Sequence, residues 1–319
     1  MLFFYENCGV LAAQPLRSDA ADSPPDCPQF APTVLQEIIT VYFTAPDYGC
    51  CFLLLKSILV ILYNKMQAVI ALEIKEYSHF ISLGCFCGVA EELERLGLRD
   101  ASYPFDWLIG PYDSYIKLIN SNFDDFLNQD YIYQWSSDQK RYDNIRYDIS
   151  FFHDFSKYDD FYSQIENVQE KYSRRIERFY KSIKQPTLFI RYTNKQEEAQ
   201  FFKNHIEEQR KFFKQFCSDN EFIVVANKGL DAGDSEWVFY VEADENDIVA
   251  RRFVCKNSEL EKILTDEKIY DREKRAANLK YYNVKEQDRN SFNSKLERRL
   301  DKYLGPIRKK YFHKNQIDK

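Results

Sequence analysis

The sequence is poor in glycine and histidine. Glycine occurs 9 times and histidine 4 times in 319 residues, whereas glycine usually makes up about 7% of a protein. Few glycine-rich loops are therefore expected, and an imidazole base must come from a short list: His79, His153, His205 and His313. The phosphate-loop and dinucleotide-binding fingerprints are absent, because the segment 84–88 lacks the remaining glycines and the lysine that those loops require.

Three further absences narrow the class of protein. The 44 Lys+Arg are outnumbered by 50 Asp+Glu, which excludes a globally basic nucleic-acid-binding protein. The apolar run 51–63 is too short for a membrane span of about 20 residues, and it contains Lys56. Cys85 and Cys87 do not have the C-x-x-C spacing of a zinc knuckle. We therefore expect no metal, no cofactor, no nucleic-acid partner and no membrane contact, and, without an export signal, a cytoplasmic location.

The composition changes near residue 65. Residues 1–65 carry 3 Lys/Arg and 6 Asp/Glu, together with six of the ten prolines and four of the eight cysteines. The second of the two methionines, Met66, lies at this change. Residues 1–65 are therefore predicted to be a leader that is disordered or results from a mis-assigned start. The prediction for the remainder is a single α/β domain over 66–305 and a basic C-terminal tail over 306–319.

The hydrophobic pattern of the domain alternates between strands and helices. A short apolar run, 80–84, precedes a helical pattern, and the long helical pattern 158–184 is followed by a strand, a helix and a strand over 187–226. Residues 145–153 alternate in the manner of a strand. The predicted fold is a three-layer α/β arrangement of helix, mostly parallel sheet and helix. A papain-like α+β fold is the alternative.

Cys87 is the first candidate for chemistry. It lies between the end of a predicted strand and the first turn of a predicted helix, between Gly84 and Gly88, which are candidate substrate-binding positions. A helix N-terminus stabilises a thiolate and lowers its pKa, and its free N–H groups can receive an oxyanion. A buried structural cysteine is the alternative interpretation. His153, at the end of the strand 145–153, is the candidate base, although a histidine there can also be a core residue.

The residues resemble a known family, the uncharacterised bacterial proteins described as papain-like cysteine peptidases. The resemblance rests on Ser82-Leu-Gly-Cys-Phe-Cys-Gly-Val-Ala90, Leu98-Arg99, Pro104-Phe-Asp-Trp107 and Phe152-His-Asp-Phe155. Lys171-Tyr-Ser-Arg-Arg-Ile-Glu-Arg178 and Leu188-Phe-Ile-Arg-Tyr-Thr193 extend it. It implies that Cys87 is the nucleophile and His153 the general base. Cys85 lies at a variable position of the motif, so the resemblance implies no catalytic role for it.

The third catalytic residue is left open. Asp154 is poorly placed, because adjacent strand residues point to opposite faces. Asn194 and Asn227 each follow a predicted strand, and Asp106 is a further candidate. Asn227 and Arg191 are also candidates for substrate binding, although Arg191 could instead pair with a carboxylate in the core.

These residues favour a cysteine-nucleophile hydrolase or acyl transferase acting on a small-molecule, peptide or acyl substrate. Two alternatives belong to other classes. One is a surface-polysaccharide or nucleotide-sugar enzyme that uses carboxylates and Arg191 without thiol chemistry. The other is a non-catalytic binding module in which Cys87 only packs.

Overall fold

The computed structural model describes residues 75–134, 141–156, 159–244 and 249–290. The predicted leader 1–65, the tail 306–319 and both limits of the predicted domain lie outside these ranges. Within them, no helix is long and apolar enough to cross a membrane.

The described chain contains strands and helices that alternate for most of its length. In chain order they are β1 (His79–Ser82), α1 (Gly88–Arg95), β2 (Leu108–Ile109), α2 (Tyr112–Asn120), β3 (Ile132–Tyr133), β4 (Tyr142–Asn144), β5 (Ile149–Phe151), α3 (Phe161–Ser182), β6 (Thr187–Thr193), α4 (Gln196–Lys214), β7 (Glu221–Asn227), β8 (Val238–Val241), α5 (Ser258–Thr265) and α6 (Arg272–Asn290). Short 3-10 turns occupy Gln129–Tyr131 and Phe253–Lys256.

The main sheet has four strands in the order β1-β6-β7-β8, and every pair is parallel. Its register places Phe80 beside Leu188 and Phe189 beside Phe222. Every residue of β6 and β7 is buried. A strand that is buried on both faces must be nearly continuous in apolar side chains, which is how these two segments read in the sequence.

Helices and turns cover both faces of this sheet. On one face, Phe189 stacks on Phe213 of α4, with ring centroids 4.1 Å apart, and also contacts Phe179 of α3. On the other face, Tyr192 packs edge-on against Phe86 just before α1. The predicted α/β fold with a parallel sheet between helices is confirmed.

A second, antiparallel sheet follows the order β2-β5-β4-β3. The single strand predicted over 145–153 is wrong: β4 and β5 form a hairpin, and residues 145–148 are its turn. The Asn144 side chain creates the turn by accepting hydrogen bonds from the N–H groups of Arg146 (2.9 Å) and Tyr147 (3.0 Å). His153 therefore lies in a bend beyond the sheet and not on a strand.

Candidate functional site

The turn after β1 has an unusual backbone. Gly84 has φ +70°, and a Cβ there would lie 2.5 Å from the Tyr115 ring, so only glycine fits. Cys85 follows with φ +74°, a left-handed conformation that is rare for a residue with a side chain. At Gly88 a Cβ would lie 2.0 Å from the Phe86 ring. The two glycines thus allow the chain to pass tightly from β1 into α1.

Cys87 is the residue that caps the N-terminus of α1. Its side chain makes no capping hydrogen bond, and its carbonyl accepts from the N–H of Glu91 at 3.0 Å. The partly buried thiol lies on a cleft of about 490 Å³ between α1, residues 249–252 and the side of α6 that carries Tyr282. The sequence did not reveal the far wall of this cleft, because α6 has little apolar periodicity.

The electrostatics around Cys87 differ from the expectation. Burial raises the pKa of the Cys87 thiol, and the negative charge of Glu91 raises it further. The positive charge of Arg251 and a backbone hydrogen bond oppose these effects only in part. The shift is therefore opposite in direction to the lowered pKa predicted from the helix N-terminus, because burial and the Glu91 carboxylate both disfavour the thiolate.

Asn194 lies beside Cys85, the cysteine that the resemblance makes incidental. The Cys85 thiol donates to Asn194 Oδ1, with sulfur and oxygen 3.7 Å apart. Burial raises the pKa of Cys85, and the Arg191 charge opposes this rise. The end of β6 thus brings Asn194 to the turn after β1, where it contacts Cys85 and not Cys87. The role of Asn194 as a third catalytic residue stays a prediction.

Arg191 is held in the core between β1, β6 and α4. Its guanidinium donates to both carboxylate oxygens of Glu198, at 2.9 and 2.7 Å, and to the carbonyls of Leu83 (2.7 Å) and Gly110 (2.9 Å). The side chain is 2% exposed. These contacts correspond to the second of its two predicted roles, pairing with a carboxylate in the core.

Asn227, at the end of β7, is also engaged in a buried contact. The Tyr192 hydroxyl donates a hydrogen bond to Asn227 Oδ1, and the Tyr192 oxygen accepts from the N–H of Ala250 at 2.6 Å. This chain of bonds ties the ends of β6 and β7 to the segment that forms one wall of the cleft. A substrate-binding role for Asn227 stays a prediction.

His153 lies away from the residues that line the Cys87 cleft. Its exposed ring packs edge-on against Trp107, with centroids 5.6 Å apart. The guanidinium of Arg99 lies over the Trp107 ring, 5.7 Å from its centroid. Arg99 follows the C-terminal end of α1 in the chain. Because an eight-residue helix is about 12 Å long, these contacts place His153 and Cys87 toward opposite ends of α1.

Asp106 is buried, and its contacts hold the turn before Trp107. One carboxylate oxygen accepts hydrogen bonds from Arg99 Nη2 (2.7 Å), Arg99 Nε (3.1 Å) and the N–H of Tyr103 (2.9 Å). Burial raises the pKa of Asp106, and the charge of Arg99 opposes the rise. Its position fits a positioning role for this turn, and catalysis by Asp106 stays a prediction.

Asp154 follows His153 and points into the protein. It accepts a hydrogen bond from the Tyr172 hydroxyl at 2.9 Å, and its other oxygen lies 2.6 Å from Lys171 Nζ and 3.8 Å from Arg175 Nη1. The carboxylate is thus held by side chains of α3.

Among the residues that the structure describes, no group of three or more His, Cys, Asp or Glu side chains is arranged to hold a metal ion.

These observations define an α/β protein in which a partly buried cysteine begins the helix after the first strand of a parallel sheet. Residues 78–225 match the model of the family described as "Putative papain-like cysteine peptidase (DUF1796)". The match covers a little under half of the chain, contains Cys87 and His153, and supports the family indicated by the motifs.

One similar protein comes from a virus. The chain is 34% identical over 124 residues to "Uncharacterized protein R408" of Acanthamoeba polyphaga mimivirus. That alignment covers 32% of this chain and 54% of the relative, so the chain spans about half the length of the curated relative that it matches. No solved structure matches the chain.

Proposed function

We propose that the protein is a cysteine-dependent hydrolase or acyl transferase with Cys87 as its nucleophile. The Cys87 sulfur attacks a carbonyl carbon of a peptide or other acyl substrate and forms a thioester, and the leaving group departs with the proton that the thiol gave up. Water then cleaves the thioester in a hydrolase, whereas a second nucleophile takes the acyl group in a transferase.

The position of Cys87 carries this proposal. The thiol is partly buried on the wall of a cleft large enough for a small substrate. The first N–H groups of α1 have no side-chain cap from Cys87 and can donate to a developing oxyanion. The description of the matched family as a cysteine peptidase family supports a cysteine nucleophile.

The proposed general base is His153. This role rests on the resemblance, because the ring contacts Trp107 and does not line the cleft that holds Cys87. Because the pKa of the Cys87 thiol is raised, the sulfur attacks only after a base has taken its proton.

Activity toward acyl and peptidyl thioesters and esters tests the nucleophile. We expect Cys87→Ala to abolish hydrolysis and to prevent the mass increase of a trapped acyl group, whereas Cys217→Ala, a matched change at another partly buried thiol, retains both. Activity that persists in Cys87→Ala would contradict the proposal.

The base is tested separately with two histidine variants. We expect His153→Ala to slow acylation strongly, while His205→Ala has no effect, since His205 is half-buried on α4 and paired with Glu208 at 2.9 Å. Equal rates in the two variants would remove His153 from the mechanism and leave the role of Cys87 standing.

A further inference from the structure

One flank of α3 carries a row of basic side chains. Lys171, Arg175 and Arg178 are spaced by four and three residues, so they lie on the same side of the helix. This side faces the turn before β2 and the bend after β5: Arg178 Nη1 donates to the Ser102 carbonyl at 2.7 Å, and Lys171 contacts Asp154.

Arg99 joins this row from the other side of the turn. Its Nη2 donates to the Ser102 hydroxyl at 2.9 Å, so Arg99 and Arg178 bind the two oxygens of the same residue. The charge of Arg175 also acts on Asp106, the partner of Arg99. We call Arg99, Lys171, Arg175 and Arg178 the basic cluster.

The basic cluster keeps an excess of positive charge. Its four cations face two buried carboxylates, Asp106 and Asp154, whose side chains are 1% and 2% exposed. Two further acids, Glu94 and Asp100, lie near Arg99 and reduce this excess without removing it. Glu94, 3.8 Å from Arg99, lies 2.6 Å from Lys285, and Asp100, whose charge also reaches Arg99, bonds to His79 and the Tyr103 hydroxyl.

The cluster also retains unused hydrogen-bond donors. Arg175 Nη1 is buried without a hydrogen-bond partner, and a buried donor of this kind is uncommon in native proteins. Arg178 is exposed and donates a hydrogen bond to the Ser102 carbonyl. Beside these cations, the exposed His153 ring and the edge of Trp107 form an aromatic wall. The remaining positive charge and the donors of Arg175 and Arg178 are groups that an anionic ligand can bind.

We propose that the basic cluster binds a phosphate group of a small-molecule ligand, at a site separate from the Cys87 cleft. Guanidinium groups present several N–H donors in a plane and pair with phosphate oxygens two at a time. A phosphate monoester carries a charge of about −1.5 to −2 near neutral pH, which matches an excess of positive charge better than a single carboxylate does. The site does not depend on thiol chemistry.

Titration of the full chain with inorganic phosphate at constant ionic strength tests the site. Calorimetry measures the affinity, and NMR follows the ring signals of the histidines. We expect the His153 signals to shift while those of His205, on α4, do not. Sulfate should compete with phosphate, and acetate should compete much less, because it carries one charge and two oxygens.

Variants on α3 provide the matched comparison. Arg178→Gln removes an exposed member of the basic cluster, and we expect it to weaken phosphate binding about tenfold or more, as the loss of a charge-assisted hydrogen bond does. Arg174→Gln is the control, since Arg174 is exposed and paired with Glu170 outside the cluster, and it should bind as the wild type does. Melting curves verify that both variants are folded.

Two results would overturn the proposal. One is the absence of heat and of His153 shifts at millimolar phosphate, and the other is equal binding by Arg178→Gln and Arg174→Gln. Repeating the titration with Cys87→Ala separates this site from the proposed enzyme, because phosphate binding should be unchanged in that variant.

Discussion

The contacts of Arg191 predict a large loss of stability on its removal. In Arg191→Met, the Glu198 carboxylate, which is 11% exposed, loses both hydrogen bonds from the guanidinium and retains the one from the N–H of Tyr112, at 3.0 Å. The carbonyls of Leu83 and Gly110 lose a donor as well. Breaking a buried ion pair by removing one partner costs about 3–5 kcal/mol. That is a large part of the about 5–15 kcal/mol by which a domain is usually stable.

Urea unfolding of four proteins measures this effect. The set is the wild type, Arg191→Met, Glu198→Met and the double variant, and the free energy of unfolding is compared across them as a double-mutant cycle. The double variant should be more stable than Arg191→Met, because it leaves no unpaired buried charge. If Arg191 instead serves mainly to bind substrate, Arg191→Met would lose less than about 1 kcal/mol and the two single effects would add. That result would refute the structural role.

Two further predictions concern the turn after β1. Since the thiolate is the reactive form and the Cys87 pKa is raised, alkylation of Cys87 should be slow at neutral pH and accelerate as pH rises. Glu91→Gln should increase the alkylation rate at neutral pH by a factor of up to about five, because a charge pair at 4 Å in water is worth about 1 kcal/mol. An unchanged rate would contradict this. Gly84→Ala should lower the free energy of unfolding by more than Gly229→Ala does. Both positions have positive φ, which costs a residue with a side chain about 1–2 kcal/mol. At Gly84 the added Cβ also meets the Tyr115 ring, whereas at Gly229 no atom lies within 4 Å of it. Equal losses would rule out the contact with Tyr115.

Much of the parallel sheet could be predicted from the sequence, because burial on both faces requires continuous apolar runs. Thr187–Thr193 and Glu221–Asn227 have such runs, and the helix between them has clear periodicity. Helix α6 was missed because its sequence, Arg272–Asn290, is mostly polar and contributes little to the core. The wall of the Cys87 cleft that carries Tyr282 was missed with it.

The hairpin around residue 145 shows why alternation alone was insufficient. Apolar side chains alternate from 145 to 153, but the Asn144 side chain stabilises a turn, and Tyr142 pairs with Phe151 across it. Hydrogen bonds from a local side chain therefore determine that this segment forms a hairpin and not one long strand. The spacing of apolar residues carries no information about such bonds. The consequence for the site is direct, because His153 moves from the end of a strand to an exposed bend beside Trp107.

The segments that carry the family resemblance divide between two places in the structure. The segment 82–90 forms the turn and one wall of the Cys87 cleft, whereas Arg99, Trp107, His153 and Arg178 gather near the other end of α1. Because α1 is about 12 Å long, a small acyl group on Cys87 would not reach the basic cluster. A substrate that uses both places must therefore be extended, with a phosphate-bearing end far from the bond that is cleaved; otherwise the two places serve different ligands.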